Sequence, residues 1–299
     1  MIGILIGVAF LVLFERKILG YVQDRKGPNK VFFLGIFQPF RDAIKLFIKE
    51  NIKLIKINLF FYLIRPIIGF IIVIILILGL PVKVNIYSMN LFILYIIICL
   101  RLGVYIILIR RWSSNSNYSI LGGIRSISQS LSYEVSIFLI FFILFNYVES
   151  FQLLDFIKFQ KFFGFWIINI IIIIILFITL VAELNRIPFD FIEGESELVS
   201  GFNVEYIRIR FTFIFLSEYI IILVLGEIFI IIFYGNFIYV FINVLYVLIF
   251  RFLIILIRGS LPRLRYDNLI YLCWYIILSV SIKIFLFILI LKIYLFIMI

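Results

Sequence analysis

Residues 59–80 read LFFYLIRPIIGFIIVIILILGL. This stretch decides the fold, because it is long and almost wholly apolar, with Arg65 as its one charged residue. An α-helix needs about 20 mostly apolar residues to cross the hydrocarbon core of a bilayer. The chain contains further stretches of this kind at 2–22, 89–110, 131–149, 164–182, 211–234, 237–258 and 269–297. None shows the sustained alternation typical of membrane β-strands. We therefore predict an all-α integral membrane protein with eight transmembrane helices, and one membrane domain over residues 1–299.

The composition excludes a soluble fold. Apolar residues make up 66% of the chain and charged residues 14%, whereas an ordinary soluble domain is about 45–50% apolar. The chain has no histidine, and its two cysteines, Cys99 and Cys273, lie far apart in apolar stretches. These counts exclude haem ligation by histidine, a Ser-His-Asp triad and a four-cysteine cluster supplied by this chain alone. No metal site is predicted, so any proton chemistry must use carboxylates, tyrosines, lysines and water.

The positions of lysine and arginine predict how the helices are oriented. Most of these residues fall in the odd-numbered loops, at about 23–58, 111–130, 183–210 and 259–268, whereas the even-numbered loops carry only Lys83, Lys158 and Lys161. Positively charged loops stay on the negative side of a membrane, which is the cytoplasm or the mitochondrial matrix. The long loops are therefore predicted on that side. The net charge of +11 mostly reflects this bias, and no nucleic-acid partner is predicted.

An amphipathic helix is predicted between Leu34 and Ile48, outside the transmembrane spans. Apolar residues recur there at steps of three and four, while Arg41, Asp42 and Lys45 fall on the other side. Such a helix lies at the membrane interface or packs against another subunit.

Carboxylates are the candidate functional groups. The loop after the fifth span carries Glu183, Asp190, Glu193, Glu195, Glu197 and Glu205, and two more acids, Glu134 and Glu218, lie inside spans. Closely spaced carboxylates titrate as a unit, and an acid at membrane depth is a functional candidate. The alternatives are a solvated acidic loop and, for the acids inside spans, either a neutral carboxyl group or pairing with Arg101, Arg251 or Lys283. Glu227 lies nine residues after Glu218 and so on the opposite helix face.

Several motifs in the chain resemble a known family. They are ERKILGYVQ at 15–23, RKGPN at 25–29, QPF at 38–40 with Asp42, WSSNS at 112–116, SYE at 132–134, AE at 182–183, NR at 185–186, PFD at 188–190, EGESE at 193–197 and PRLRYD at 262–267. In this order they resemble the family of subunit 1 of NADH dehydrogenase, the respiratory complex I. Arg101 in the third span departs from the family pattern.

The resemblance implies a membrane subunit that forms much of the ubiquinone access tunnel and begins a path of carboxylates for proton translocation. Carried over by position, the path residues are Glu134, Glu183, Glu193, Glu195, Glu197, Glu205 and Glu218. The tunnel or its support is expected at Arg16, Arg25, Arg186, Phe189 and Asp190. The chain would bind no redox cofactor alone. Ubiquinone would be the substrate, and the partners would be lipid and the other membrane-arm and quinone-module subunits, in the mitochondrial inner membrane rather than a bacterial plasma membrane.

Other classes of protein remain open at this point. A related membrane subunit of a hydrogenase-type complex would lack quinone chemistry, although the intact EGESE loop favours the quinone-linked form. A stand-alone proton or cation transporter would show repeated halves and broken helices near the midplane, which the sequence lacks. A purely structural anchor predicts that every buried carboxylate can be neutralised without functional loss.

Overall fold

The computed structural model describes residues 2–49, 58–80, 90–115, 117–160, 164–190, 209–235 and 240–298. Within these ranges the ordered elements are helices, and no strand occurs among them. The helices are α1 Ile2–Val22, α2 Gln38–Ile48, α3 Leu59–Leu78, α4 Phe92–Ser114, α5 Asn117–Val148, α6 Leu153–Phe159, α7 Phe165–Ile168, α8 Ile170–Glu183, α9 Ile209–Tyr234, α10 Val240–Ser260, α11 Tyr266–Tyr271 and α12 Leu278–Met298. A π-helical segment, Leu272–Ile277, joins α11 to α12.

The all-α membrane class predicted from the sequence is confirmed. Among the described residues, six helices are long and apolar enough to cross a bilayer: α3, α4, α5, α9, α10 and the continuous helix from α11 to α12. Helix α1 has the predicted bounds but carries the charged run Glu15 to Lys17 in its second half. The fifth predicted span is broken at Asn169, where the backbone leaves the helical region between α7 and α8. The total of eight crossings, the single domain and the orientation stay predictions.

The prediction of a loop at 111–130 is wrong, because most of these residues are helical. Helix α4 continues to Ser114, Asn115 ends it in the left-handed conformation, and α5 begins at Asn117 instead of 131. Several serines of α5, among them Ser126, Ser130 and Ser132, are buried. Their hydroxyls donate hydrogen bonds to backbone carbonyls three residues earlier, as from Ser126 to Gly123 and from Ser132 to Gln129. Such bonds satisfy polar side chains inside a helix.

The amphipathic helix begins later than predicted. Residues Phe33–Gly35 form a 3₁₀ turn in which Leu34 has a positive φ of 54°, so a regular helix cannot start there. Helix α2 starts at Gln38 with Pro39 in its first turn, a position at which proline is well tolerated. Its apolar side chains Phe40, Ile44 and Phe47 are exposed at the surface of this chain. Arg16 of α1 holds α2 through an ion pair to Asp42 at 2.5 Å.

Gly35 is the position in this turn where glycine is required. We predict that Gly35→Ala destabilises the protein by about 2 kcal/mol. Its φ is +76°, and an added Cβ would overlap the carbonyl oxygen of Pro28. The overlap would displace the connection that sets the position of α2. The measurement is the fraction of the chain that stays soluble after heating of native membranes and detergent extraction. Gly3→Ala is the control, since nothing lies within 4 Å of its added Cβ, and an equal loss in both variants would contradict the prediction.

The helices pack around α9, whose neighbours include α1, α3 and α10. Helix α4 lies between α3 and α5, and α5 also packs against α8 and α12. Buried side chains of α9, such as Ile220, Ile228 and Phe233, belong to the main apolar core. The arrangement leaves an internal space between α1, α3, α4 and α9, next to the segment that follows α8.

Candidate functional site

A cavity of about 410 Å³ occupies the space between these helices. Much of its wall is aliphatic or aromatic, with side chains from α1, α3, α4 and α9 that include Val12, Ile72, Leu100, Val104 and Phe215. The same lining carries a dense set of ionisable groups: Glu15, Arg16, Arg65, Glu183, Arg186, Asp190, Glu218, Tyr219 and Arg258. A mostly apolar pocket with a few convergent polar groups is the usual form of a small-molecule site.

The best-defined polar group in the cavity is Glu15, which is 5% exposed. One oxygen of its carboxylate, Oε1, pairs with Arg258 and lies 3.3 Å from Nη1 of Arg186. The other oxygen, Oε2, accepts a hydrogen bond of 2.6 Å from the Tyr219 hydroxyl. The Arg186 guanidinium also lies over the Tyr219 ring, 4.6 Å from its centroid. We call Glu15, Arg186, Tyr219 and Arg258 the Glu15 cluster.

The Glu15 cluster joins parts of the chain that are far apart in sequence. Glu15 belongs to α1, Tyr219 to α9 and Arg258 to the last turn of α10. A carboxylate shared by two guanidinium groups and a hydroxyl has its lone pairs well satisfied, which is the condition for burying charge. The cluster therefore holds Arg186 in a defined position at the cavity.

Gln129 of α5 fixes the segment that brings Arg186 to the cavity. This glutamine is fully buried, and its Nε2 donates hydrogen bonds to the carbonyl oxygens of Ala182 at 3.2 Å and Phe189 at 2.9 Å. These carbonyls lie at the end of α8 and near the end of the segment 184–190. Leu264 donates a further backbone bond to the Pro188 carbonyl at 3.1 Å. The segment is thus held at both ends against α5.

Five of the candidates predicted from sequence line this one cavity: Arg16, Glu183, Arg186, Asp190 and Glu218. Glu183 ends α8, and its Oε2 atom is inaccessible to solvent without a hydrogen-bond partner among the described residues. Glu218 lies on α9, directly before Tyr219 of the Glu15 cluster. Arg16 connects the cavity to α2 through Asp42, which also accepts a hydrogen bond of 3.1 Å from Gln38.

Glu134 lies beside the cavity and not in its lining. Its carboxylate pairs with Arg101 of α4, one of the partners that the sequence left open. The charge of Glu134 also acts on Glu183, so the two carboxyl groups are electrostatic neighbours. Glu227 pairs with Arg251 at 3.1 Å. Arg251 is also one of the partners that the sequence left open.

Two other candidates lie elsewhere. Phe189 is buried against the Tyr133 ring, with centroids 6.0 Å apart, and supports the segment 184–190 by packing. Arg25 is exposed, and its Nε donates to Gln23 at 2.9 Å. The remaining candidates, Glu193, Glu195, Glu197 and Glu205, lie outside the described residues. Within the described ranges, no group of three or more histidines, cysteines or acids could hold a metal ion.

Sequence reasoning missed the role of four residues in this site: Glu15, Gln129, Tyr219 and Arg258. Glu15 had a signal, because it is an acid inside an otherwise apolar N-terminal helix, but the sequence identifies it only as part of the motif ERKILGYVQ. Arg258 has only the signal of a positive charge at the end of an apolar span, which bears on the orientation of the helices. Gln129 and Tyr219 carried no signal, since their partners become visible only when the helices pack.

Fold and site together define a multi-helix membrane protein with an internal cavity in which acids and arginines are paired. Residues 1–289 match the family model described as NADH dehydrogenase, and the chain belongs to this family. It is 47% identical over 293 residues to the NADH-ubiquinone oxidoreductase chain 1 of Anopheles quadrimaculatus, covering 98% of this chain and 93% of that one. The chain of the same name from the marsupial Sminthopsis macroura is 39% identical, with 91% and 88% covered.

Proposed function

We propose that this chain is the chain 1 subunit of a proton-pumping NADH:ubiquinone oxidoreductase, and that its cavity receives ubiquinone. The observation that carries the proposal is the cavity itself, where apolar walls meet Arg16, Arg186, Asp190 and Tyr219. An isoprenoid tail requires an apolar channel, and a quinone carbonyl requires hydrogen-bond donors. The arginine guanidinium is such a donor, with five N–H groups, whereas the Tyr219 hydroxyl already donates its proton to Glu15. The relatives at 39–47% identity bear this enzyme's name.

The role of the chain in the reaction is to bind the quinone and to handle protons. The sequence contains no histidine and two distant cysteines, so the electrons for quinone reduction come from a redox centre of another subunit. Reduction to quinol takes up protons and changes the charge at the head group. Glu15 keeps Arg186 in place while this change occurs, because its buried carboxylate pairs with both Arg186 and Arg258.

Proton coupling is assigned to the carboxylates next to the cavity. Glu218 and Glu183 line it, and Glu134 is the electrostatic neighbour of Glu183. We propose that a charge change on the quinone alters the proton affinity of these groups, and that Glu193, Glu195, Glu197 and Glu205 continue the same path. Six long apolar helices among the described residues support a multi-pass location, which for this enzyme is the mitochondrial inner membrane. Its partners there are the other complex I subunits, lipid and ubiquinone.

The variant Gly103→Phe tests whether the cavity receives ubiquinone. Gly103 lines the cavity, and nothing lies within 4 Å of an added Cβ, so the phenyl ring enters the cavity without displacing the backbone. Because it occupies the space needed by the substrate, we expect kcat/KM for ubiquinone to fall about tenfold or more. The measurement is NADH:ubiquinone reductase activity of the assembled complex. NADH oxidation by a water-soluble electron acceptor, which bypasses this cavity, is expected to stay unchanged.

Gly3→Phe is the matched control for this experiment. Gly3 also has nothing within 4 Å of an added Cβ, but it is exposed and lies outside the cavity. It should leave both activities unchanged. Normal ubiquinone kinetics in an assembled Gly103→Phe complex would contradict the proposal that the quinone uses this cavity.

A further inference from the structure

Arg101 is a charged residue on the outer surface of the helix bundle. The face of α4 that lines the cavity carries Leu100, Gly103, Val104 and Ile107, and Arg101 is not part of it. The Arg101 side chain is 61% exposed, and it lies beside the exposed side chains Ile98, Leu102, Tyr105 and Leu108. On α5 this surface continues with the exposed residues Leu131, Val135 and Phe138. We call these residues the α4–α5 face.

The depth of Arg101 in the membrane prevents it from reaching a lipid headgroup. Helix α4 runs from Phe92 to Ser114, so at 1.5 Å per residue Arg101 lies about 13 Å from the start of the helix. A hydrocarbon core about 30 Å thick places it near the midplane. Basic side chains reach the interface only from near a helix end. Arg101 therefore stays within the membrane.

The guanidinium of Arg101 has more donors than the described part of this chain satisfies. Its Nε–H donates to Glu134, and among the described residues Glu134 is its one ion partner. A guanidinium carries five N–H donors in a planar fork. Unsatisfied donors and charge are costly in hydrocarbon, and ionisable groups there pair with another polar group. The exposed edge of Arg101 thus requires an acceptor from outside the described residues.

We propose that a transmembrane helix of a neighbouring subunit covers the α4–α5 face and offers a carboxylate to Arg101. This rests on the proposed function in one respect. If Glu134 takes up a proton during turnover, Arg101 loses its counter-ion at the membrane midplane, and a second carboxylate keeps the cation paired. The two terminal nitrogens of the guanidinium match a carboxylate in bidentate geometry. The apolar rim from Ile98 to Leu108 provides the packing surface for a helix.

The first test labels the complex with a lipid-soluble photoreactive carbene in native membranes, followed by mass spectrometry of this chain. Leu102 and Tyr105 should be labelled several-fold less in the intact complex than in the chain released by dissociation in detergent. Equal labelling in the two samples would mean that lipid covers the face, and would overturn the inference. This test uses the unaltered chain, so it stands even if substitutions prevent assembly.

The second test identifies the partner chemistry with R101K and a membrane-permeant carbodiimide, which joins an amine to a carboxylate through an amide. We expect a cross-linked peptide that joins position 101 to an acid in a membrane helix of another subunit. The wild-type complex is the control, since a guanidinium forms no such amide. A cross-link to Glu134 alone, in an assembled complex, would contradict the proposal that a neighbouring subunit supplies a second carboxylate.

A native gel stained for NADH oxidation separates failure of this inference from failure of the proposed function. If the chain migrates apart from the NADH-oxidising complex, the proposed function is wrong. If it migrates with that complex while Leu102 and Tyr105 are labelled as lipid-facing residues, only the inference about the α4–α5 face is wrong.

Discussion

Replacing Glu15 by leucine is expected to destabilise the protein by about 3 kcal/mol or more, the cost of removing one partner from a buried ion pair. The Glu15 side chain is buried, and its loss leaves the Arg186 and Arg258 guanidinium groups near each other without their shared anion. The Tyr219 hydroxyl also loses its acceptor. Leucine fills the space but supplies neither charge nor acceptor, so α1, α9 and α10 lose their common polar contact.

The effect is measured as the amount of the chain recovered in the assembled complex and as the heating temperature at which half is lost from the soluble fraction. Glu149→Leu is the matched control, since Glu149 also pairs with a cation, Lys292 at 2.6 Å, but is exposed. It should change neither quantity. The stability of Glu15→Gln should lie between those of the two leucine variants, because the glutamine amide oxygen can still accept a hydrogen bond from the Tyr219 hydroxyl. Equal stability of Glu15→Leu and Glu149→Leu would show that the cluster contributes nothing.

Glu218→Gln is expected to abolish most proton translocation by the complex. Glutamine is nearly isosteric with glutamate and keeps its hydrogen-bonding capacity, but it cannot take up or release a proton. Glu218 lines the cavity next to Tyr219, so the path proposed here loses its first carboxylate at the quinone site. We expect proton uptake per NADH oxidised to fall to a small fraction of the wild-type value, because glutamine offers no site for the proton.

The measurement is acidification of sealed vesicles, followed with a pH-sensitive dye, together with NADH:ubiquinone turnover in the same sample. Glu227→Gln is the matched control, because Glu227 lies on the same helix, nine residues later, and is paired with Arg251. This variant should pump normally. If Glu218→Gln translocates as many protons per NADH as the wild type, Glu218 is not part of the path.

Much of the fold was predictable because length and hydropathy are local properties of the chain. The predicted spans 2–22 and 211–234 agree with helices Ile2–Val22 and Ile209–Tyr234 to within two residues. The prediction failed at 111–130, which is less apolar than the spans on either side and so reads as a loop, whereas most of it is helical. It failed there because the polar side chains face the interior and bond to their own helix, which composition cannot distinguish from exposure to water. The start of α2 was misplaced because a positive φ at Leu34 gives no hydrophobic signal.

The candidate site was predictable where a charge is unusual in its surroundings. Glu218 stands out inside an apolar helix, and Glu183 and Asp190 stand out in a short acidic segment. The Glu15 cluster could not be found in this way. Its hydrogen bonds join residues 171 and 204 positions apart, and nothing local to Glu15 indicates that Arg186, Tyr219 and Arg258 become its partners.

The sequence by itself determined that this is a helical membrane protein, which stretches are long enough to cross a bilayer and which acids lie within those stretches. These follow from the transfer of single segments from water to hydrocarbon, which depends on their own side chains. Only the tertiary structure decided that Arg16, Glu183, Arg186 and Glu218 share one cavity, that Glu15 joins two arginines, and that Arg101 faces outward beside Glu134. Those outcomes depend on how helices from distant parts of the chain pack, because an ion pair forms only where packing brings both charges together.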